Sequence, residues 1–523
     1  SRMMREYHVR FCEKLGGKFP GFTRQFMMKM MVLSKKFFSG LIGLVFIFLY
    51  SPLNAQVERN SKEKFNVLFI AIDDLNTWIG ALGGHPNTQT PNIDRLAKKG
   101  VIFSNAHCQA PLCGPSRASI MTGLRPSTTG IYGMIDDNNI KSDNPVTRDL
   151  LLLPEYFNEH GYHTMGIGKL FHQHAPDDVL NESGGRYPGF GPKPEKRFMW
   201  EGDGGGAGYG RTSTDWGGFP ESDSLMPDVE SAEWIVERLN RDYADPFFLA
   251  VGFLRPHVPW YVPPHWFEGF DPDQLTLPNY KLDDLNDVPE VAMKINDLPM
   301  MPTTEWALES GEYKNIIQAY LACVKFVDAQ VGKVLDALES SRYSENTIVV
   351  LWSDHGYRLG EKGTFAKHAL WEEATKVPLV FAGPNIEGGR VVDQPVELLS
   401  IYPTLVEWCG LPAYGRNEGK SLVSLLKDDY DPSVKHYAIT TYGENNHSIR
   451  NSDFRYIRYE DGTEELYDHR IDPHEWYNRA GDSRYVEIKE QLEKQLPRVN
   501  VPWNIHSEYK YQPYFVKQKE RSR

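Results

Sequence analysis

Three short segments hold residue types that could do chemistry together. Asp73-Asp74 closes the apolar run 66–72, and Ser353-Asp354-His355-Gly356 closes the run 347–352. Carboxylates at the ends of buried strands, with an imidazole beside one of them, suit a hard divalent cation. Taken alone, Asp73-Asp74 is better read as a polar strand end. The third segment is Cys113-Gly114-Pro115-Ser116-Arg117-Ala118-Ser119-Ile120-Met121-Thr122-Gly123. A cysteine there is either a structural thiol in a turn before a helix or a nucleophile.

The surrounding pattern says what must hold these segments. Continuous apolar runs at 66–72, 247–253, 347–352 and 377–382 read as buried strands. Tyr320, Val324, Val327, Val331, Leu335 and Leu338 recur at steps of three and four and predict a helix; a second helix is expected over 228–239. Strands alternating with helices predict the α/β class, with a large doubly wound mixed sheet flanked by helices. Such sheets bind ligands beyond the carboxyl ends of their strands, where the three acidic residues fall. Residues 201–218 are rich in Gly and aromatic residues and read as a long loop; 255–310 hold many Pro and Asp. From residue 431 short alternating segments at 437–442, 454–459 and 465–468 predict a smaller C-terminal subdomain with an antiparallel sheet. The expected division is 1–55 leader and signal peptide, 56–430 catalytic domain and 431–523 C-terminal subdomain.

The chain has 523 residues, 41% hydrophobic and 24% charged, which excludes a disordered, collagen-like or coiled-coil protein. Lys29, Lys35 and Lys36 precede an apolar stretch over 37–50, followed by Ser51-Pro52-Leu53-Asn54-Ala55. That order predicts a signal peptide cleaved near Ala55, with an over-extended start before Met27. The expected location is periplasmic or secreted, with no membrane span after cleavage. Residues 1–55 hold nine basic and two acidic side chains, which leaves 48 basic against 68 acidic in the rest. A body this acidic argues against nucleic acid as a partner. Four cysteines follow Cys12, too few and too irregular for a disulfide scaffold; Cys108, Cys323 and Cys409 lie among apolar residues and read as buried thiols.

The segment from Cys113 resembles the sulfatase signature C-x-P-S-R-x-x-x-x-T-G, with Pro115, Ser116, Arg117, Thr122 and Gly123 in register. Other matches run along the chain: Gly168-Lys169-Leu170-Phe171-His172, Arg255-Pro256-His257, Ser353-Asp354-His355-Gly356 and Gly363-Thr364-Phe365-Ala366-Lys367-His368. Together they resemble the iduronate-2-sulfatase branch of that family, within the alkaline-phosphatase-like superfamily. The resemblance implies that Cys113 is oxidised by a formylglycine-generating maturation enzyme. One hydroxyl of the hydrated aldehyde attacks sulfur, and the other later loses its proton so that sulfate leaves. A hemiacetal ester collapses in this way without water attacking sulfur again. It further implies one calcium ion held by Asp73, Asp74, residue 113, Asp354 and His355. Lys169 and Lys367 would bind sulfate oxygens, and Arg117 would hold the formylglycine hydroxyl. His172 would take the hydrate's proton, and His257 would be general acid for the leaving alcohol.

Met121, Leu124, Tyr357 and Leu254-Arg255 depart from the family's pattern. Met121 and Leu124 bear on how efficiently Cys113 is matured, and Tyr357 and Leu254-Arg255 are expected to face the sugar. His85 reads as a loop histidine. The expected activity is release of sulfate from a sulfated polysaccharide or its oligosaccharides, of uronate 2-sulfate, glycosaminoglycan or ulvan type. Two alternatives are a phosphonate or phosphodiester hydrolase of the same superfamily, and a catalytically silent sugar-binding relative.

Overall fold

The computed structural model describes residues 64–199 and 214–522; the expected leader and signal peptide over 1–55 and most of the expected loop 201–218 lie outside them. Eight strands form one mixed sheet: β1 (Asn66–Ile72), β2 (Gly100–Phe103), β3 (His163–Gly168), β4 (Glu182–Gly185), β5 (Phe247–Phe253), β6 (Thr347–Ser353), β7 (Leu379–Ala382) and β8 (Arg390–Val392). Their spatial order is β8-β2-β7-β6-β1-β5-β3-β4. The central strand β1 is parallel to β5 and β6, and β3 is parallel to β5; β7 runs antiparallel to both β6 and β2.

The central strand shows why its sequence is apolar throughout. Side chains alternate across a strand. Leu68, Ile70 and Ile72 enter one core, and Val67, Phe69 and Ala71 enter the other. The first core is closed by α1 (Pro91–Lys99), α3 (Pro227–Leu239) and the long α4 (Tyr313–Ser340). The second is closed by α2 (Cys113–Thr122) and α5 (Ile401–Trp408). Both faces are covered, so polar alternation is absent. Cys108, Cys323 and Cys409 are buried thiols, as expected.

Two expectations need correction. The run 377–382 is not one strand. Pro378 lacks an N–H and interrupts the ladder. Lys376–Val377 pairs with Ala106–His107 in a small sheet, and only β7 joins the large one. The C-terminal sheet has four strands rather than three: β9 (Ala438–Thr441), β10 (His447–Arg450), β11 (Phe454–Arg458) and β12 (Glu464–Asp468), an antiparallel meander. Strand β10 was hidden because His447, Ser448 and Arg450 are polar yet buried. A shared core packs Tyr442, Ile457, Tyr467 and Phe515, the last on α6 (Pro513–Ser522), against Leu112, Tyr132 and Trp371.

Candidate active site

The site lies where β1, β3, β5 and β6 end. Strand β1 delivers Asp73 and Asp74, and Asp74 takes a left-handed φ of 62° that turns the chain sharply. Its N–H donates to Asp354 Oδ1 at 3.2 Å, tying the end of β1 to the end of β6. The Tyr320 hydroxyl, on α4, donates to the Asp74 carbonyl at 2.9 Å and accepts the Asn76 N–H at 2.9 Å. Cys113 is the first residue of α2, a helix buried along all ten residues. Two side chains one turn along lock its start. Ser116 Oγ donates to the Asp354 carbonyl at 2.5 Å, and Arg117 Nε donates to Asp354 Oδ2 at 2.8 Å. Arg117 Nη1 also donates to the carbonyls of Lys169 and Leu170, so the signature helix fixes the turn after β3.

Donor atoms of Asp73, Asp74, Cys113 and His355 lie within 4.8 Å of one another. Asp354 stands at their side, its Oδ1 3.6 Å from His355 Nε2. His355 Nδ1–H donates to the Gly356 carbonyl at 2.9 Å, which leaves Nε2 with its lone pair 3.3 Å from Asp74 Oδ1. Asp73 Oδ1 and Asp74 Oδ2 are buried without a hydrogen-bond partner. Burial, opposed by Lys367 and reinforced by Asp73 and Asp354, pushes Asp74 up to about 7. Burial also opposes ionisation of Asp73, but Lys169, His257 and Arg117 outweigh it and hold Asp73 well below the usual range. Two adjacent carboxylates forced apart in this way, with two orphaned oxygens, fit a divalent cation between them.

The cations converge on the same point. Lys367 Nζ donates to Asp74 Oδ1 at 2.7 Å and to Cys113 Sγ at 2.9 Å. Lys169 Nζ donates to Asp73 Oδ2 at 2.5 Å. His257 stacks on Phe190 with ring centroids 3.9 Å apart. Its Nδ1–H donates to the Val258 carbonyl at 2.6 Å, and its Nε2 lies 3.8 Å from Asp74 Oδ2. Burial, then the Lys367 charge, holds His257 well below its ordinary range. His172 is half-buried, its Nδ1 has no partner among the described residues, and burial with Lys169 and Arg186 lowers it to about 3. Asp74, His172, His257 and Lys367 all border one cavity of about 430 Å³. Asp73, Cys113, Arg117, Lys169, Asp354 and His355 join these four through the contacts given above.

Several supporting residues had no sequence signal. Asp137 accepts the backbone N–H groups of His172, Gln173 and His174 and so holds the His172 loop. Asp228, on α3, accepts those of Leu254 and Arg255 and holds the turn that carries His257. Arg255 is 1% exposed and does not face the sugar; its guanidinium donates to the carbonyls of Tyr261, His257 and Phe190. Leu254, Met121 and Leu124 are buried as well. Tyr357 borders the cavity, although its hydroxyl is spent on the Phe365 carbonyl. His85 stacks on Trp78 and bonds the Thr276 carbonyl, a loop contact as expected.

Known proteins show the same arrangement of chain. The sulfatase family model matches residues 65–411, and the C-terminal model of N-sulphoglucosamine sulphohydrolase matches 360–501. A sulfatase of Formosa agariphila is 59% identical over 486 residues, covering 92% of this chain and 96% of that one. The iduronate 2-sulfatase of Mus musculus is 33% identical over 421 residues, covering 72% of this chain and 73% of its own. A solved 2-O GAG sulfatase aligns with a TM-score of 0.62 at 25% identity, over 83% of this chain and 91% of that one. Cys113, the cations around it and every residue bordering the cavity except Tyr509 and Tyr511 fall inside the segment that the first of these models covers, so the chain belongs to the sulfatase family and is a sulfuric ester hydrolase.

Proposed function

We infer that the protein removes sulfate from 2-O-sulfated uronate units of glycosaminoglycan or algal oligosaccharides, with residue 113 acting as formylglycine. One observation carries the mechanism: Cys113 Sγ lies 2.9 Å from the ammonium of Lys367, which borders the cavity together with His172 and His257. Burial pushes the Cys113 thiol up to about 12, so an unmodified cysteine is protonated and a poor nucleophile there. Formylglycine at this position, when hydrated, would supply the hydroxyl that bonds sulfur. Asp73, Asp74, Asp354 and His355 would hold a divalent cation, calcium by its oxygen-rich donors, which would neutralise charge on a sulfuryl oxygen.

The chain's own groups have separable tasks. Lys169 and Lys367 face the sulfuryl oxygens and stabilise negative charge as it shifts in the transition state. Arg117, fixed by Asp354, holds residue 113 in place. His257 spends Nδ1 on the Val258 carbonyl, so Nε2 is the atom that delivers a proton to the leaving sugar oxygen. An arriving sulfate ester brings the negative charge that favours that protonation. His172 is held neutral, with Nδ1 unpartnered among the described residues, so its ring can take a proton from residue 113.

The substrate class rests on the names of the relatives, an iduronate 2-sulfatase and a 2-O GAG sulfatase. Export to the periplasm or beyond, after cleavage near Ala55, belongs to the same reading, as do the maturation enzyme and the division near residue 430. No helix among the described residues is long and apolar enough to cross a membrane.

Mass spectrometry of tryptic peptide 100–117, from a host that matures a control sulfatase, tests the nucleophile. We expect the aldehyde, and loss of sulfate release in Cys113→Ala with the fold intact. A thiol alone would favour the silent sugar-binding relative, and wild-type turnover by Cys113→Ala would overturn the mechanism.

A further inference from the structure

Arg186 borders the same cavity as His172, His257 and Lys367 and has no part in the chemistry assigned to the other cations. Its Nη1 donates to Gln173 Oε1 at 2.7 Å and to the carbonyls of His172 and Gln173 at 3.2 and 3.3 Å. Its Nη2 donates to the Gly189 carbonyl at 2.9 Å. Every one of these acceptors is a neutral oxygen. No carboxylate pairs with Arg186 among the described residues, and the nearby Asp137 carboxylate is spent on three backbone N–H groups. Nε is buried and has no partner. Nε–H and the second Nη2 hydrogen, the edge that grips an oxyanion side-on, are therefore unspent. Burial lowers the guanidinium's pKa and outweighs the Asp73 and Asp137 charges that raise it.

The position of this charge is set by one aromatic ring. The guanidinium carbon of Arg186 lies 5.3 Å from the centroid of Phe190. The same ring has Lys169 Nζ at 5.1 Å and stacks on His257 at 3.9 Å. Arg186 thus stands one ring away from the groups that face the sulfate and the leaving oxygen. Lys193, another cation, lines the cavity as well. A sugar held by its sulfate at Lys367 would extend into the cavity that Phe190 and Arg186 border. In a 2-O-sulfated uronate the carboxylate hangs from C5, across the ring from C2. Two anionic groups at opposite sides of a pyranose call for two cationic stations.

We propose that Arg186 is a specificity-determining residue that binds a second anionic group on the sulfated sugar, a carboxylate or a second sulfate. The proposal rests on the sugar-sulfate reading above. A purely structural Arg186, stapling Gln173 to Gly189, is the competing account.

The test compares kcat/KM on matched substrates for the matured enzyme and for Arg186→Gln and Arg186→Lys. One arm pairs a 2-O-sulfated uronate disaccharide with its carboxyl-reduced counterpart. The other pairs a disulfated sugar with its monosulfate. The wild-type enzyme should favour the doubly anionic partner by about tenfold to a hundredfold in at least one arm, the range of a charge-assisted hydrogen bond. The arm that shows the preference identifies the group. Arg186→Gln should bring the ratio to near unity, mainly through KM, and Arg186→Lys should restore part of it. The ratio is insensitive to general damage, because a loosened His172 loop slows both members of a pair alike. An unchanged ratio in Arg186→Gln, or equal wild-type turnover of charged and neutral partners, would overturn the subsite and leave the sulfatase reading standing. No sulfate release from any sulfated sugar, with aryl sulfates still cleaved, would sink the substrate reading and the subsite together.

Discussion

In the proposed mechanism His257 and His172 divide the proton chemistry, and for His257 a hydrogen bond decides which nitrogen is used. His257 has one nitrogen fixed on the Val258 carbonyl and its ring clamped against Phe190. Its role matters only when the leaving oxygen needs a proton. A sugar alkoxide needs one, and a nitrophenolate does not. His257→Ala should therefore lower kcat/KM on a sugar sulfate by about 10²- to 10⁴-fold, the usual worth of a general acid, and far less on 4-nitrophenyl sulfate. Steady-state kinetics on the two substrates decide it, and equal losses would remove the role. The reacting residues were legible because their chemistry demands particular side chains at particular spacing, as from Cys113 to Gly123. Phe190, Asp137 and Asp228 were not. They act through a ring plane or through backbone N–H groups, and no spacing in the chain marks such contacts before the fold brings them together.

At the scale of elements, two glycines let neighbouring strands place the lysine and the histidine. Gly168 at the end of β3 is paired with Gly252 on β5. Lys169 N–H donates to the Gly252 carbonyl at 2.9 Å. A Cβ on Gly252 would stand 2.0 Å from the Lys169 carbonyl oxygen, and one on Gly168 would stand 2.2 Å from the Gly252 carbonyl oxygen. Gly168 also has a φ of 79°. The close approach aims Lys169 at Asp73 and starts the turn that carries His257. In Gly252→Ala the methyl meets backbone, which cannot swing aside as a side chain can. Overpacking of this kind costs about 1–3 kcal/mol. Because the displaced atoms belong to Lys169, we expect sulfate turnover to fall at least about tenfold through misplacement of that ammonium. Urea unfolding and kinetics together check this, and wild-type kinetics in Gly252→Ala would show that the turn tolerates the shift. Strands β1, β5 and β6 were legible because both faces of each are buried. Strand β3, His-Thr-Met-Gly-Ile-Gly, was not, since its glycines serve close approach rather than apolar burial.

At the scale of the molecule, an acidic chain gathers several basic side chains at its cavity. Past residue 55 acidic side chains outnumber basic ones 68 to 48, whereas Lys367, Arg186 and Lys193 border the cavity. Tyr509 and Tyr511, close to the C-terminus, also border it, so chain far from the signature helix closes the site to about 430 Å³. That volume suits one or two sugar units. A long sulfated polymer must bring many further charges against an acidic body, and only its end escapes that repulsion. We therefore expect action at chain ends and a preference for short oligosaccharides. Salt separates the two contributions, because added ions screen charges beyond about 10 Å at 0.1 M. Raising NaCl from about 20 to about 200 mM should lift kcat/KM on the intact polymer, where repulsion is relieved, and lower it on a disaccharide, where attraction to the cavity is weakened. Sulfate release measured on both substrates across that range decides it. If polymer turnover instead falls with salt as steeply as disaccharide turnover, the polymer is drawn to the surface, and attack within the chain becomes the better account.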